Sequence, residues 1–194
     1  LLTELVGVKQ DLRDVLKHAN YNEQYSRRSY VRIFGLKENP EENCVTEVIN
    51  MVQTNMTITL TPADIQAAHR VGRLPPETPQ NEDHTSDDGT DAADGANADG
   101  TQRETRRKPC RPVIVRFSRR DDKFRVISNV RKLKQTGYAI VEDLTKKNVE
   151  LLNRVKKHRS VQSAWATNGK IKAKSHYGKI VIVNLFDNLD DLFA

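Results

Sequence analysis

The first apolar pattern in the chain is a seam. Leu1, Leu5, Val8, Leu12, Val15, Ala19 and Asn22 fall at alternating four- and three-residue steps, while Lys9, Asp11, Arg13 and Asp14 lie off that line. This is the a/d spacing of a coiled coil. Residues 1–26 are expected to form the C-terminal end of one; the alternative is a single amphipathic helix docked on the domain that follows. The chain opens at Leu1, not at Met, and is read as a fragment with further heptads upstream.

Beyond the seam the period changes. Tyr30 to Leu36 is β-rich and ends at Gly35 and Asn39-Pro40. Asn39 can cap a helix with Pro40 in its first position and Glu42 closing a capping box. Val45, Val48, Ile49 and Val52 then give that helix an apolar face. Thr61-Pro62-Ala63-Asp64 is a turn, and Ile65 to Val71 alternates as a strand. Arg111 to Phe117 is a further strand. Asp121 is expected to cap a helix buried through Phe124, Ile127, Val130 and Leu133 and stopped by Gly137. Tyr138 to Leu144 is the fourth strand. The resulting βαββαβ order is the ferredoxin-like arrangement that RRM domains share. Many functions use that fold, so order alone assigns none.

Between the second and third strands, residues 74–108 hold almost nothing apolar larger than alanine and are expected to be a disordered acidic insertion. Thr145 begins a smaller unit, 145–194: a basic helix with Val149, Leu152 and Val155 along one side, then a hairpin around Asn168-Gly169, since both central residues of that turn need positive φ. Ile180 to Val183 is a last strand. The expected fold class is α+β: a coiled-coil helix (1–26), an RRM-like domain (27–144) and a small α/β C-terminal domain (145–194).

The formal charge is +6 over 194 residues. Residues 74–104 carry nine acids against one base, a net −8, which leaves +14 on the rest. A surplus of that size suits a polyanion, because phosphates neutralised by Lys or Arg release condensed counterions; a generic basic surface is the bland alternative. The insertion either folds back over the neighbouring basic residues as a tethered competitor or is a passive spacer. Cys44 and Cys110 are far apart and lack His partners, so no zinc site is expected. No Ser-His-Asp set, Cys-His pair or phosphate-binding glycine loop occurs. The expectation is a chain without catalysis, metal or cofactor, with no membrane span.

Alternation on the strands proposes a binding face. With Val31 and Ile33 inward, Tyr30, Arg32 and Phe34 face the open side; with Val113, Val115 and Phe117 inward, Ile114 and Arg116 join them. RRM domains stack bases on aromatic rings at this face. Here Arg32 and Ile114 stand where rings are expected, and guanidinium planes stack on bases and fork onto phosphates. Arg27, Arg28, Arg70, Arg73 and Arg111 are further candidates, and His69 either binds phosphate or is structural. A cleft with the C-terminal unit would add Arg119, Arg120 and Lys123 on one wall and Arg154, Lys157 and Arg159 on the other. Lys170, Lys172 and Lys174 form a row suited to a phosphate backbone. Trp165 is either a base-stacking residue or core.

Five stretches taken in order resemble one family. They are Tyr25-Ser26-Arg27-Arg28-Ser29-Tyr30-Val31-Arg32-Ile33-Phe34-Gly35-Leu36, Ala68-His69-Arg70-Val71-Gly72-Arg73, Arg111 to Phe117, Glu142-Asp143-Leu144-Thr145, and Trp165 to Ile171. Together they are similar to the first-open-reading-frame protein of LINE-type retrotransposons, the "transposase 22" type. The resemblance implies a homotrimeric coiled coil, an RRM and a C-terminal domain that coat the element's RNA. It also implies nucleic-acid chaperone activity on single-stranded RNA and DNA during target-primed reverse transcription, in a cytoplasmic ribonucleoprotein with the nucleus as a second compartment. Two rivals stand beside it: a host RNA-binding adaptor that kept the architecture, and a metal-dependent nuclease or transposase.

Overall fold

The computed structural model describes residues 2–72 and 110–193. The acidic insertion expected at 74–108, the candidate Arg73 and the seam position Leu1 lie outside the described residues. The fold is mixed α+β, with an N-terminal helix and two antiparallel sheets.

α1 runs Leu2–Ser26 and β1 Tyr30–Phe34. β1 alternates because Val31 and Ile33 are fully buried beneath the helices. α2 (Cys44–Met56) buries Val48, Met51, Val52 and Met56. Its cap is Asn43, whose side chain accepts from the Val45 and Thr46 N–H groups, not Asn39. The expected capping box has no helix to cap, because the chain at Pro40 makes only a turn and the helix starts at Cys44; the Glu42 carboxylate is bound by the Arg70 guanidinium. A 3-10 turn, Pro62–Asp64, leads into β2 (Ile65–Arg70), with Asp64 accepting from the Thr61 N–H and hydroxyl.

β3 spans Val113–Phe117 and α3 Arg120–Ser128. α3 departs from expectation. Asp121 is not its cap: the helix starts at Arg120, and a 3-10 turn, Val130–Leu133, follows a break at Asn129. Val126 and Leu133 are buried, whereas Phe124, Ile127 and Val130 are only half-buried. β4 (Ala139–Glu142) completes a sheet ordered β2-β3-β1-β4. Its core is Val31, Ile33, Val113, Val115 and Phe117 against Val48, Val52, Met56 and Val126. Fully burying each such side chain stabilises the fold by roughly 1.5–3 kcal/mol before conformational entropy is subtracted.

α4 (Lys146–Lys156) is capped by Thr145, whose hydroxyl accepts from the Asn148 N–H. Its buried side is Asn148, Leu151 and Val155; Val149 is exposed, so the expected face is rotated by about one residue. β5 (Val161–Thr167) and β6 (Lys170–Ser175) form the expected hairpin, with φ of 53° at Asn168 and 75° at Gly169. β7 (Ile180–Val183) adds to β6, and a short α5 (Leu189–Leu192) follows. Leu151, Val155, Ile171, Ala173, Val183, Leu189 and Phe193 make a second core.

The seam of α1 is uncovered: Leu5, Val8, Leu12 and Val15 are each more than half exposed. The helix docks instead through another stripe, the buried side chains of Asn20 and Gln24. Asn20 donates to Asn148 (3.0 Å) and accepts from the Thr145 hydroxyl (2.6 Å). Gln24 donates to the Asp143 carbonyl (3.0 Å) and accepts from the Thr145 and Asn148 nitrogens (both 2.9 Å). Gly169 closes against this joint. A Cβ there would stand 2.7 Å from Gln24 Cγ, so the position requires glycine for space as well as for φ. The joint is polar and every buried side-chain polar atom among the described residues has a partner, as a low-dielectric interior demands.

Candidate nucleic-acid interface

Strand register fixes which side chains share the open face of the first sheet, because directly paired residues point the same way. His69, Ile114, Arg32 and Val141 form one row across β2, β3, β1 and β4. Ala67, Arg116 and Tyr30 form the next, and Phe34 and Ala139 a third. Arg32 and Arg116 are therefore diagonal neighbours on adjacent central strands. The Arg116 guanidinium lies 5.4 Å from the Tyr30 ring centre and is exposed. Phe34 and Val141 are 40% and 47% exposed, so the face mixes cations with open apolar surface.

Asp143, just beyond β4, organises two of the arginines. Its carboxylate is buried and accepts from Arg32 Nε (2.5 Å) and Arg27 Nη1 (2.8 Å), while Arg27 Nη2 reaches Glu23 (2.9 Å). Binding through Nε leaves both Nη groups of Arg32 without a protein acceptor among the described residues. Asp143 and Glu23 together offset the charges of Arg27 and Arg32, so the positive excess of the open face comes from Arg116, which is in no ion pair among the described residues. Partial burial works against the charge on Arg27, but the hydrogen bond and charge of Asp143, with Glu23, outweigh it and hold its pKa above the ordinary arginine value. Arg28, next to Arg27 in the chain, sits 3.9 Å from the Tyr25 ring centre.

The rim continues to the second unit. Arg119 and Arg120 are exposed at the start of α3, and Arg120 donates to Asn168 in the hairpin turn (3.2 Å). Lys170, exposed, begins β6 directly after that turn, and Lys172 follows half-buried. Arg27, Arg28, Arg32, Arg116, Arg119, Arg120 and Lys170 are thus brought to adjoining surfaces.

Other candidates go elsewhere. Arg70 pairs with Val113, which faces the helices, so it points away from the open face and His69 points into it. Its side chain is 6% exposed and directs its donors to Glu42 and to the carbonyls of Leu36, Lys37 and Arg111. Lys123 is 2% exposed, bound to Glu142 (2.9 Å) and the Arg28 carbonyl (2.8 Å). Both are structural cations here, correcting the expectation that they face nucleic acid. Arg111 is paired with Glu38 through Nε (2.8 Å) and Nη2. Arg154, Lys157 and Arg159 do not form a cleft wall. They sit at the far end of α4, where Arg154 donates to the Leu185 carbonyl and Arg159 lies 3.6 Å from Asp190, while the joint is at the Thr145 end.

The sequence reading missed Asp143, Glu142, Asn20, Gln24 and Glu42 as organising residues. An acidic pair at a strand end in so basic a domain was the available signal for the first two. Among the described residues no three His, Cys, Asp or Glu side chains group as metal ligands, and no helix is long and apolar enough to cross a membrane. No protein-family model and no curated protein matches the chain.

Proposed function

We propose that the chain binds single-stranded nucleic acid, RNA foremost, through the open face of its first sheet, and that it self-associates through α1. The observation that carries this reading is the face itself. Arg32 and Arg116 stand diagonally on the two central strands, Tyr30 and Phe34 beside them, and the Nη groups of Arg32 have no acceptor among the described residues. Stacking on rings and guanidinium planes with ionic grip on phosphate is the general chemistry of single-strand binding. In this reading the β2-β3-β1-β4 sheet with α2 and α3 is an RRM-like domain, and with fewer rings than usual it favours charge over base sequence. The sequence resemblance extends the proposal to an RNA-coating, strand-annealing protein of a LINE-type retrotransposon. It requires no catalytic step.

Arg32→Ala with Arg116→Ala is expected to weaken binding to an unstructured oligonucleotide at low salt while the chain stays folded. The slope of log affinity against log salt should flatten by about 0.7 for each phosphate no longer neutralised. A folded double variant with unchanged affinity and slope removes this face from consideration.

Self-association rests on the uncovered seam, since four exposed large aliphatic residues at a/d spacing bury their surface only against another helix. The chain at high concentration is expected to sediment as an oligomer, a trimer by the resemblance. Leu5→Ser with Leu12→Ser should sediment as a monomer that still binds short oligonucleotides. A wild type and a variant with identical sedimentation at every concentration would end the coiled-coil reading.

A further inference from the structure

The second sheet also has an outer face. Ile171, Ala173 and Val183 point to α4, with Ala164, Ala166 and Val181 packed beside them. By register, Trp165, Lys172 and Ile182 form a row on the opposite side, and Ser163, Lys174 and Ile180 the next row. Lys170 pairs with Thr167 at the hairpin end of the same face. Trp165 is therefore not a core residue; it is half-buried on an outer surface, with Ile180 57% and Ile182 47% exposed.

We propose that this face is a second single-strand platform, on which Trp165 stacks an unpaired base while Lys170, Lys172 and Lys174 follow the phosphates. The inference rests on the nucleic-acid reading above but uses a different sheet and, apart from Lys170 at the shared rim, different residues. Three features favour nucleic acid over another occupant. β5, β6 and β7 contain no Asp or Glu. None of the three lysines is in an ion pair among the described residues. Alternate residues of an antiparallel strand repeat every ~6.8 Å, similar to one nucleotide step of an extended strand, so the row matches successive phosphates. The ring next to that row is what base stacking needs, and such stacking is indifferent to base identity. Ile180 and Ile182 extend the apolar floor on which further bases can lie.

Trp165 is the sole tryptophan of the chain, so its emission reads this site and no other. The whole chain would be titrated with unlabelled oligo(U) and oligo(dT) and with a duplex of equal length, with binding followed in parallel by anisotropy of labelled strands. Single strands are expected to quench Trp165 emission saturably, and the duplex to do so far less. Trp165→Ala should weaken single-strand binding about tenfold or more with an unchanged salt slope, because stacking releases no ions. Trp165→Phe should keep most of the affinity, and Lys172→Ala should flatten the slope by about 0.7. Quenching in the unmodified chain and the Phe variant keep the test open if the Ala variant loses its fold by circular dichroism. Binding seen by anisotropy with unchanged emission, and equal affinity of the folded Trp165 variants, would overturn the platform and leave the first face standing. Emission that follows protein concentration and ignores nucleic acid would overturn it in favour of a second copy of the chain. Absence of any binding would overturn both readings.

Discussion

Glu142→Ala is expected to lower the free energy of unfolding by about 3–5 kcal/mol, the usual loss when one partner is removed from a buried ion pair. The Glu142 side chain is 4% exposed and joins three parts of the molecule. It accepts from Lys123 Nζ of α3 (2.9 Å) and from the Asn168 and Gly169 N–H groups of the hairpin turn (2.9 and 2.8 Å). Truncation leaves an ammonium with one carbonyl for company and strands two backbone donors. Lys123→Met should cost less than Glu142→Ala, because the Glu142 carboxylate would keep both turn N–H groups. Urea unfolding of the two variants checks the order. Equal losses, or a Glu142→Ala variant as stable as the wild type, would show that the carboxylate does not hold the hairpin to the first sheet.

Much of the fold was legible where one local rule decides the outcome. Val31 and Ile33, and likewise Val113, Val115 and Phe117, alternate because one face of each strand is buried, and the period of two shows it. Asn168-Gly169 is legible because so few residues accept positive φ at both turn positions. The open face followed from the same alternation. What failed has a shared cause: polar residues buried by partners far along the chain. On α4 the apolar pattern suggested Val149, Leu152 and Val155, yet Asn148 is drawn inside by Asn20 and Gln24, 128 and 124 residues away. The helix turns with it and Val149 is left exposed. Asn39 looked like a cap because Glu42 stood three residues on, but the helix starts only at Cys44, and Glu42 also serves Arg70, 28 residues away. Hydrophobic periodicity carries no information about such pairs. For the same reason Lys123 and Arg70 counted as surface cations, and Asp143, which aims Arg32, counted only as part of a family landmark.

Arg70 gives the sharpest contrast between a structural cation and a binding one. Arg70→Ala should destabilise the fold by about 3–5 kcal/mol, and Arg70→Lys by roughly 2–3 kcal/mol, since a lysine keeps the charge but not the planar fork. The guanidinium reaches Glu42 through Nε and Nη2 (both 2.6 Å) and three carbonyls besides, an arrangement one ammonium cannot reproduce. These bonds tie the end of β2 to the loop after β1. The pH dependence has a definite sign. The hydrogen bond from Arg70 holds the Glu42 carboxyl below its ordinary range, against the opposing effect of burial. Stability from this pair is therefore complete above the unfolded carboxyl value of about 4.3 and is lost as pH falls through the lower folded value. The gap between wild type and Arg70→Ala should narrow as pH drops from about 6 towards 3, because protonation of Glu42 removes from the wild type what the substitution removes at neutral pH. Urea unfolding across that range measures the gap, and oligonucleotide affinity under conditions where both proteins are folded should not change. A lysine variant as stable as the wild type, with weakened binding and a gap independent of pH, would return Arg70 to the nucleic-acid interface.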